Sequence, residues 1–167
     1  MGIFTLIKKD WKANRGNSKG FIFAFFFRLS HWFATGNILL RIIGLPVRIL
    51  YKLVFRWTFG IDIPDTTRIG GGFKVWHGIG LIIHGNCIIG ENVSVRHNTT
   101  IGQKHDDGGV PVIGNNVNIS TQCVVIGEIT IGDNSQIGAC SLINKNVPPD
   151  SVAYGNPFIV KPLKPTP

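Results

Sequence analysis

Two histidines stand seven residues apart in the run Val75-Trp-His77-Gly-Ile-Gly-Leu-Ile-Ile-His84-Gly85, which is otherwise apolar or glycine. Imidazole titrates near neutral pH, so either ring could take a proton from a hydroxyl as a general base. Spacing separates the two. An aliphatic residue returns every six positions on both sides of this run, yet from Val75 to Ile83 the interval is eight. His77 falls inside that slip, where two extra residues must bulge from a regular wall and re-aim a side chain. His84 follows Ile83 directly, in the slot that glycine holds in most other units, and reads as a structural corner residue facing solvent. His77 is the candidate base.

The element that positions it is the repeat. Ile113, Ile119, Val125, Ile131, Ile137 and Ile143 recur at intervals of six, each followed four places later by a small or medium residue. Upstream the same spacing holds for Ile83, Ile89, Val95 and Ile101, and for Ile63, Ile69 and Val75. Period six fits neither a helix nor a hairpin. It calls for a short strand and a tight corner per unit, and coils stacked about 4.8 Å apart then bury one continuous aliphatic ladder. The predicted fold is an all-β solenoid over residues 61–160. Segment 103–111 has the length of a repeat unit but carries Asp107 where an aliphatic belongs, so it is expected to leave the wall as an extruded loop. Cys87 and Cys123 fall at inward positions and Cys140 at a corner. Three cysteines without framework spacing point to a reducing compartment, which makes a cytoplasmic location the expectation.

The first 60 residues differ in kind. They hold ten Lys/Arg against one acid, Asp10, and nine of the eleven Phe, whereas residues 61–167 hold seven Lys/Arg against eight acids. Helices are predicted over 3–13, 20–35 and roughly 47–58, the last with Arg48, Lys52 and Arg56 as a cationic stripe. The apolar run Phe21–Phe27 stops at Arg28, far short of the roughly 20 residues of a membrane span, and has no signal-peptide cleavage pattern after it. Two readings of this segment stay open. It is either a peripheral contact with the inner face of the plasma membrane or a helical cap on the solenoid. No nucleic-acid reading motif organises its charges. Residues 161–167 form a C-terminal tail.

The unit Ile89-Gly-Glu-Asn-Val-Ser, repeated as Ile131-Gly-Asp-Asn-Ser-Gln, resembles the hexapeptide-repeat acyltransferases. Asp62-Ile, Arg68-Ile-Gly-Gly-Gly, Trp76-His77-Gly, Asn98-Thr-Thr-Ile-Gly102 and Val147-Pro-Pro to Gly155-Asn-Pro157 look like the serine acetyltransferase branch. The lead-in Phe27-Arg-Leu-Ser-His-Trp32 and the triplet Arg96-His97-Asn look closest to its exopolysaccharide members, the colanic acid type. That resemblance implies a left-handed parallel β-helix, a homotrimer, and acetyl-CoA as acyl-donor substrate with no metal. It implies His77 as catalytic base with Asp62, fifteen residues earlier, orienting it. It places the pantetheine arm near Gly102, Thr121 and Ala139, with Lys161 or Lys164 reaching a coenzyme A phosphate.

Departures from the serine branch concern the acceptor. The Arg-His pair that holds an amino acid carboxylate there is replaced by Gly109 and Val110, and Trp76 stands where an Asp helps bind the amino acid. Trp76, Arg96, His97 and His105 are therefore candidates for contacting a sugar or lipid-linked saccharide, an aromatic ring suiting a sugar face better than an ammonium group. The expected activity is O-acetylation of a sugar hydroxyl in exopolysaccharide or capsule assembly. Serine O-acetylation is the alternative. A zinc site built from His77, His97 and His105 and a non-catalytic scaffold are weaker readings.

Overall fold

The computed structural model describes residues 2–163. From Ile61 the chain winds into successive coils of three short strands each. The first coil is β1 (Ile61–Asp62), β2 (Arg68–Ile69) and β3 (Lys74–Trp76), and the second β4 (Leu81–Ile83), β5 (Ile88–Ile89) and β6 (Ser94–Arg96). β7 (Thr100–Gly102), β8 (Val112–Ile113) and β9 (Asn118–Ile119) form the third, and β10 (Val124–Ile126), β11 (Thr130–Ile131) and β12 (Gln136–Ile137) the fourth. The last coil is β13 (Leu142–Ile143), a bridge at Val147, and β14 (Ser151–Gly155), on which β15 (Phe158–Pro162) folds back antiparallel. Strands stack in parallel as three walls: β1-β4-β7-β10-β13, β2-β5-β8-β11 and β3-β6-β9-β12-β14.

The repeat aliphatics are the rungs of the core. Ile83, Ile101, Val125 and Ile143 align in the first wall, Ile69, Ile89, Ile113, Ile131 and Val147 in the second, and Val75, Val95, Ile119, Ile137 and Ala153 in the third. All are buried, as the period of six requires. Cys87 and Cys123 are also buried, and desolvation pushes the Cys87 thiol up to about 11. Corners turn through left-handed backbone at Asn92, Asn116, Asn134 and Asp150, where a short polar side chain tolerates positive φ. These stacked corners also bond one another, Asn92 Nδ2 donating to Asn116, Asn116 to Asn134 and Asn134 to Asp150.

Register records both departures from the rhythm. Ile61 pairs with Leu81, a coil of 20 residues, whereas Ile83 with Ile101 is a coil of 18, so the slip after Val75 is accommodated locally. Ile101 pairs with Val125, because residues 103–111 leave the wall as an exposed loop.

The N-terminal segment folds as α1 (Ile3–Ala13), α2 (Ser18–Thr35), α3 (Ile38–Ile43) and α4 (Leu45–Tyr51), the last continuing as a π-helical segment (Lys52–Thr58). Sequence periodicity misses α3. Its start is fixed by Asn37, whose side chain accepts from the Leu40 amide, inside a run with no other break.

This helical layer covers the open edge of the first coil, whose carbonyls and amides would otherwise lack a strand partner. Arg28 Nη1 donates to the Ile69 carbonyl at 2.6 Å and Nη2 to that of Gly70. Asn14, Asn17 and Tyr51 donate to the carbonyls of Phe73, Val75 and Ile63. Asp10 accepts from the amides of Gly72 and Phe73 and from Arg28 Nε at 2.7 Å. The structure thus supports the cap reading for contacts of this segment with the solenoid. The expected cationic stripe is partly neutralised: Arg48 pairs with Asp65 and Arg56 with Asp62, while Lys52 remains exposed.

Candidate functional site

The slip places His77 outside the wall, exposed, with φ 65°, followed by Gly78 at φ 67°. Two consecutive left-handed residues are costly except where a glycine can share the turn. A Cβ at Gly78 would meet Ile61 Cδ1 at 2.6 Å, so the bulge lies tightly over β1. Below it, one corner of the solenoid runs down the molecule. The Asn98 amide donates to the Ile79 carbonyl, that of Gln122 to His97, and that of Cys140 to Thr121, so Ile79, His97, Thr121 and Ala139 lie on one edge starting at the bulge.

Four predicted residues meet there. The His97 ring stands edge-on to His77, centroids 5.8 Å apart, and Trp76 packs beside His77 at 6.4 Å. Trp76 and Arg96 are aligned neighbours on β3 and β6, and Lys74 Nζ sits 4.3 Å from the Trp76 ring centroid. Arg96 reaches Ser120 Oγ at 3.5 Å. His97 Nδ1 is buried and unpartnered, while its carbonyl accepts from Thr121 Oγ1. An imidazole on an open edge, flanked by an aromatic face and a guanidinium, can take a proton from a ring hydroxyl while the sugar rests on the indole.

Asp62, Gly102 and His105 lie across the first wall. Asp62 is on β1, next to the Ile61 that packs on the bulge, but its Oδ1 accepts from Arg56 Nε at 2.6 Å. Among the described residues no hydrogen bond joins Asp62 to His77. Asp62 instead lines an open polar cleft of about 730 Å³ with Arg56, His84, Gly102 and His105. Loop 103–111 forms one side of that cleft, braced by Gln103 Nε2 donating to the Gly108 carbonyl at 2.8 Å. His84 occupies the expected corner, its Nδ1 accepting from the Asn86 amide, yet it also faces the cleft. Sequence reasoning passed over this role, because nothing in the repeat tells which corners a distant loop will roof. Lys161 is exposed on β15, 5.7 Å from the Tyr154 ring centroid, and Lys164 lies outside the described residues. Among the described residues no three His, Cys, Asp or Glu side chains are placed to hold a metal ion.

The pattern of the bacterial transferase hexapeptide family (six repeats) matches residues 111–145. Over 160 residues the chain is 29% identical to the Escherichia coli (strain K12) protein named colanic acid biosynthesis acetyltransferase WcaB, spanning 93% of this chain and 99% of that one. It is 39% identical over 101 residues to serine acetyltransferase 2 of Arabidopsis thaliana, which is 59% of this chain and 31% of the plant protein. The crystal structure of serine acetyltransferase isoform 3 from Entamoeba histolytica in complex with cysteine superposes with a TM-score of 0.73 at 28% identity, over 90% of this chain and 57% of that one.

Coils, corners and the matched pattern agree: residues 111–145 carry the bacterial transferase hexapeptide pattern, and the solenoid is a left-handed parallel β-helix like that of the hexapeptide-repeat acyltransferases the chain is similar to. The chain is similar both to WcaB and to the serine acetyltransferases, matching the first over nearly its whole length and spanning only about a third to a little over half of the other two.

Proposed function

We propose that the protein transfers acetyl from acetyl-CoA to a sugar hydroxyl in exopolysaccharide or capsule assembly, with His77 as general base. The carrying observation is the cluster of Trp76, His77, Arg96 and His97 on one solenoid edge, which offers a stacking face and a cation beside the base and no carboxylate for an ammonium group. Similarity to WcaB along nearly the whole chain supports the same acceptor class.

The transfer follows from those positions. His77 takes the proton of the acceptor hydroxyl, and the oxygen forms a bond to the thioester carbonyl carbon. The tetrahedral oxyanion then collapses, the C–S bond breaks, and the imidazolium returns the proton to the departing thiolate as free coenzyme A. The edge through His97, Thr121 and Ala139 leads straight to the bulge and is the proposed track of the pantetheine arm. Gly102, His105 and Asp62 face the cleft across the first wall, so a homotrimer that brings that cleft of one subunit against the His77 edge of another would join the two halves of the site. In that assembly Asp62 orients His77 after exchanging Arg56 for the imidazole, and Lys161 meets a donor phosphate.

We further propose that the cap touches an anionic membrane through α3, α4 and the π-helical segment. Ile38, Ile42, Leu45, Ile49, Leu53 and Trp57 are all exposed, Trp57 to 83%, and no acid occurs between residues 38 and 61. No described helix is long and apolar enough to cross a membrane, so the contact is a surface one.

Coenzyme A release from acetyl-CoA, measured with L-serine and with oligosaccharide and nucleotide-sugar acceptors, tests the acceptor. Turnover confined to saccharides is expected. Efficient turnover of L-serine would replace this reading with the serine alternative.

A further inference from the structure

On the cap side of the bulge lies a second hollow, distinct from the polar cleft. Phe23 and Phe55 from the helices and Ile61 and Val75 from the first coil form its floor, and His77 and Gly78 close one end. Its volume is about 230 Å³, room for a chain of roughly eight heavy atoms at ~30 Å³ each. The rim is Ile22, Phe59 and Ile79, each about half exposed or more. The charged group on the lining is Lys19, and no carboxylate faces the hollow. A zwitterionic amino acid would find no partner for its ammonium group here, and a bare sugar would find hardly any hydrogen-bonding side chain.

We propose that this hollow binds the proximal aliphatic chain of a lipid-phosphate acceptor, with Lys19 on its phosphate and its sugar turned out against Trp76 and His77. The inference rests on the sugar O-acetyltransferase reading and names the form in which the acceptor arrives. Three features fit one ligand. The floor is aliphatic and aromatic, the exposed cation lines the opening, and the rim residue Phe59 ends a segment whose Leu53 and Trp57 are also exposed. A membrane contact through that segment would bring the hollow close to the bilayer surface, from which a lipid chain could enter it. His77 is exposed on its other side, so a sugar attached beyond the phosphate lies within reach of the ring.

The probes are methyl, butyl, hexyl and octyl phosphate below their micelle concentrations, titrated into the full chain by calorimetry. Affinity is expected to rise about fourfold per added methylene until the hollow fills. Lys19→Ala should weaken every member by a similar factor. Phe59→Asp and Ile79→Asp, at exposed rim positions, should flatten the series. Acetyl-, butyryl-, hexanoyl- and octanoyl-CoA form a second arm. A rise confined to the acyl-CoA arm would assign the hollow to the donor's acyl group and overturn the proposal. A wild-type alkyl phosphate series that is flat or unbound would also overturn it. A rising series that the rim variants flatten, in a protein that acetylates no acceptor, would keep the hollow and remove the acetyltransferase reading instead.

Discussion

At the scale of single residues, the site depends on how one imidazole is held. His77 sits on a left-handed turn, and its ring makes aromatic contact with Trp76 and edge-to-face contact with His97. Such pairs contribute roughly 0.5–1.5 kcal/mol. If His97 holds the His77 ring by packing, His97→Ala should lower kcat by about threefold to tenfold, and His97→Phe should restore most of it. A failure of both variants with an unchanged KM would instead assign a proton or hydrogen-bond role to the buried Nδ1. The outward placement of His77 was legible from sequence because the eight-residue interval is a break in an otherwise strict count. The engagement of Asp62 was not, since a spacing of fifteen places the carboxylate near the bulge but does not say that Arg56 will reach it first.

At the scale of elements, the solenoid's coils are interchangeable but its first edge is not. Arg28 and Asp10 are buried together, side chains 1% exposed, and between them bond four backbone groups of the first coil. Arg28→Ala leaves a buried carboxylate unpaired and should cost about 3–5 kcal/mol, read as a drop in Tm. The double change Arg28→Met with Asp10→Leu should lose less than the two single changes combined. His31, stacked on Phe27 and donating from Nδ1 to the Asp65 carbonyl, titrates below the ordinary histidine value. Burial is the main cause, partly opposed by that hydrogen bond, while nearby Arg28 adds to the lowering. The unfolded chain therefore binds the proton first. The contribution to stability is complete above about pH 6.5 and is lost as pH falls from there toward the lowered native pKa. A flattening of that slope in His31→Phe, followed by chemical denaturation from pH 7.5 to 5, is the expected result.

The repeat, the inward cysteines and the extruded loop could be read in advance because each is a matter of counting. The cap's grip could not, because Asp10 and Asn14 find backbone groups some sixty residues away, and no local pattern encodes that distance.

For the molecule as a whole, one end of the solenoid is both sealed and sticky. The helical layer that seals the first coil also presents Leu53 and Trp57 to solvent, on a stretch that carries cations and no acid between residues 38 and 61, although Arg48 and Arg56 pair with Asp65 and Asp62. Deleting residues 1–60 would therefore strip the edge as well as the proposed membrane face. Point changes separate the two: Leu53→Asp with Trp57→Asp should abolish flotation with phosphatidylglycerol vesicles and leave Tm near that of the wild type. Wild-type binding should weaken as salt rises from 50 to 500 mM. Self-association that vesicles do not compete away would assign the face to a second copy of the chain. The same end carries the bulge, the cluster around it and the apolar hollow, so the proposed acceptor site, base and membrane face meet in one region. The proposed donor track runs away from it along the edge through Thr121 and Ala139.

The proposed acetyl transfer rests on His77 as the base, and the most direct test is the single-turnover rate of acetyl transfer in His77→Ala, measured with an active saccharide acceptor and saturating acetyl-CoA. His77 is exposed, so the variant should keep its fold, with a Tm lowered only by the lost ring contacts. The account predicts a loss of about 10²–10⁴-fold in rate. A variant that transfers acetyl at the wild-type rate would contradict it.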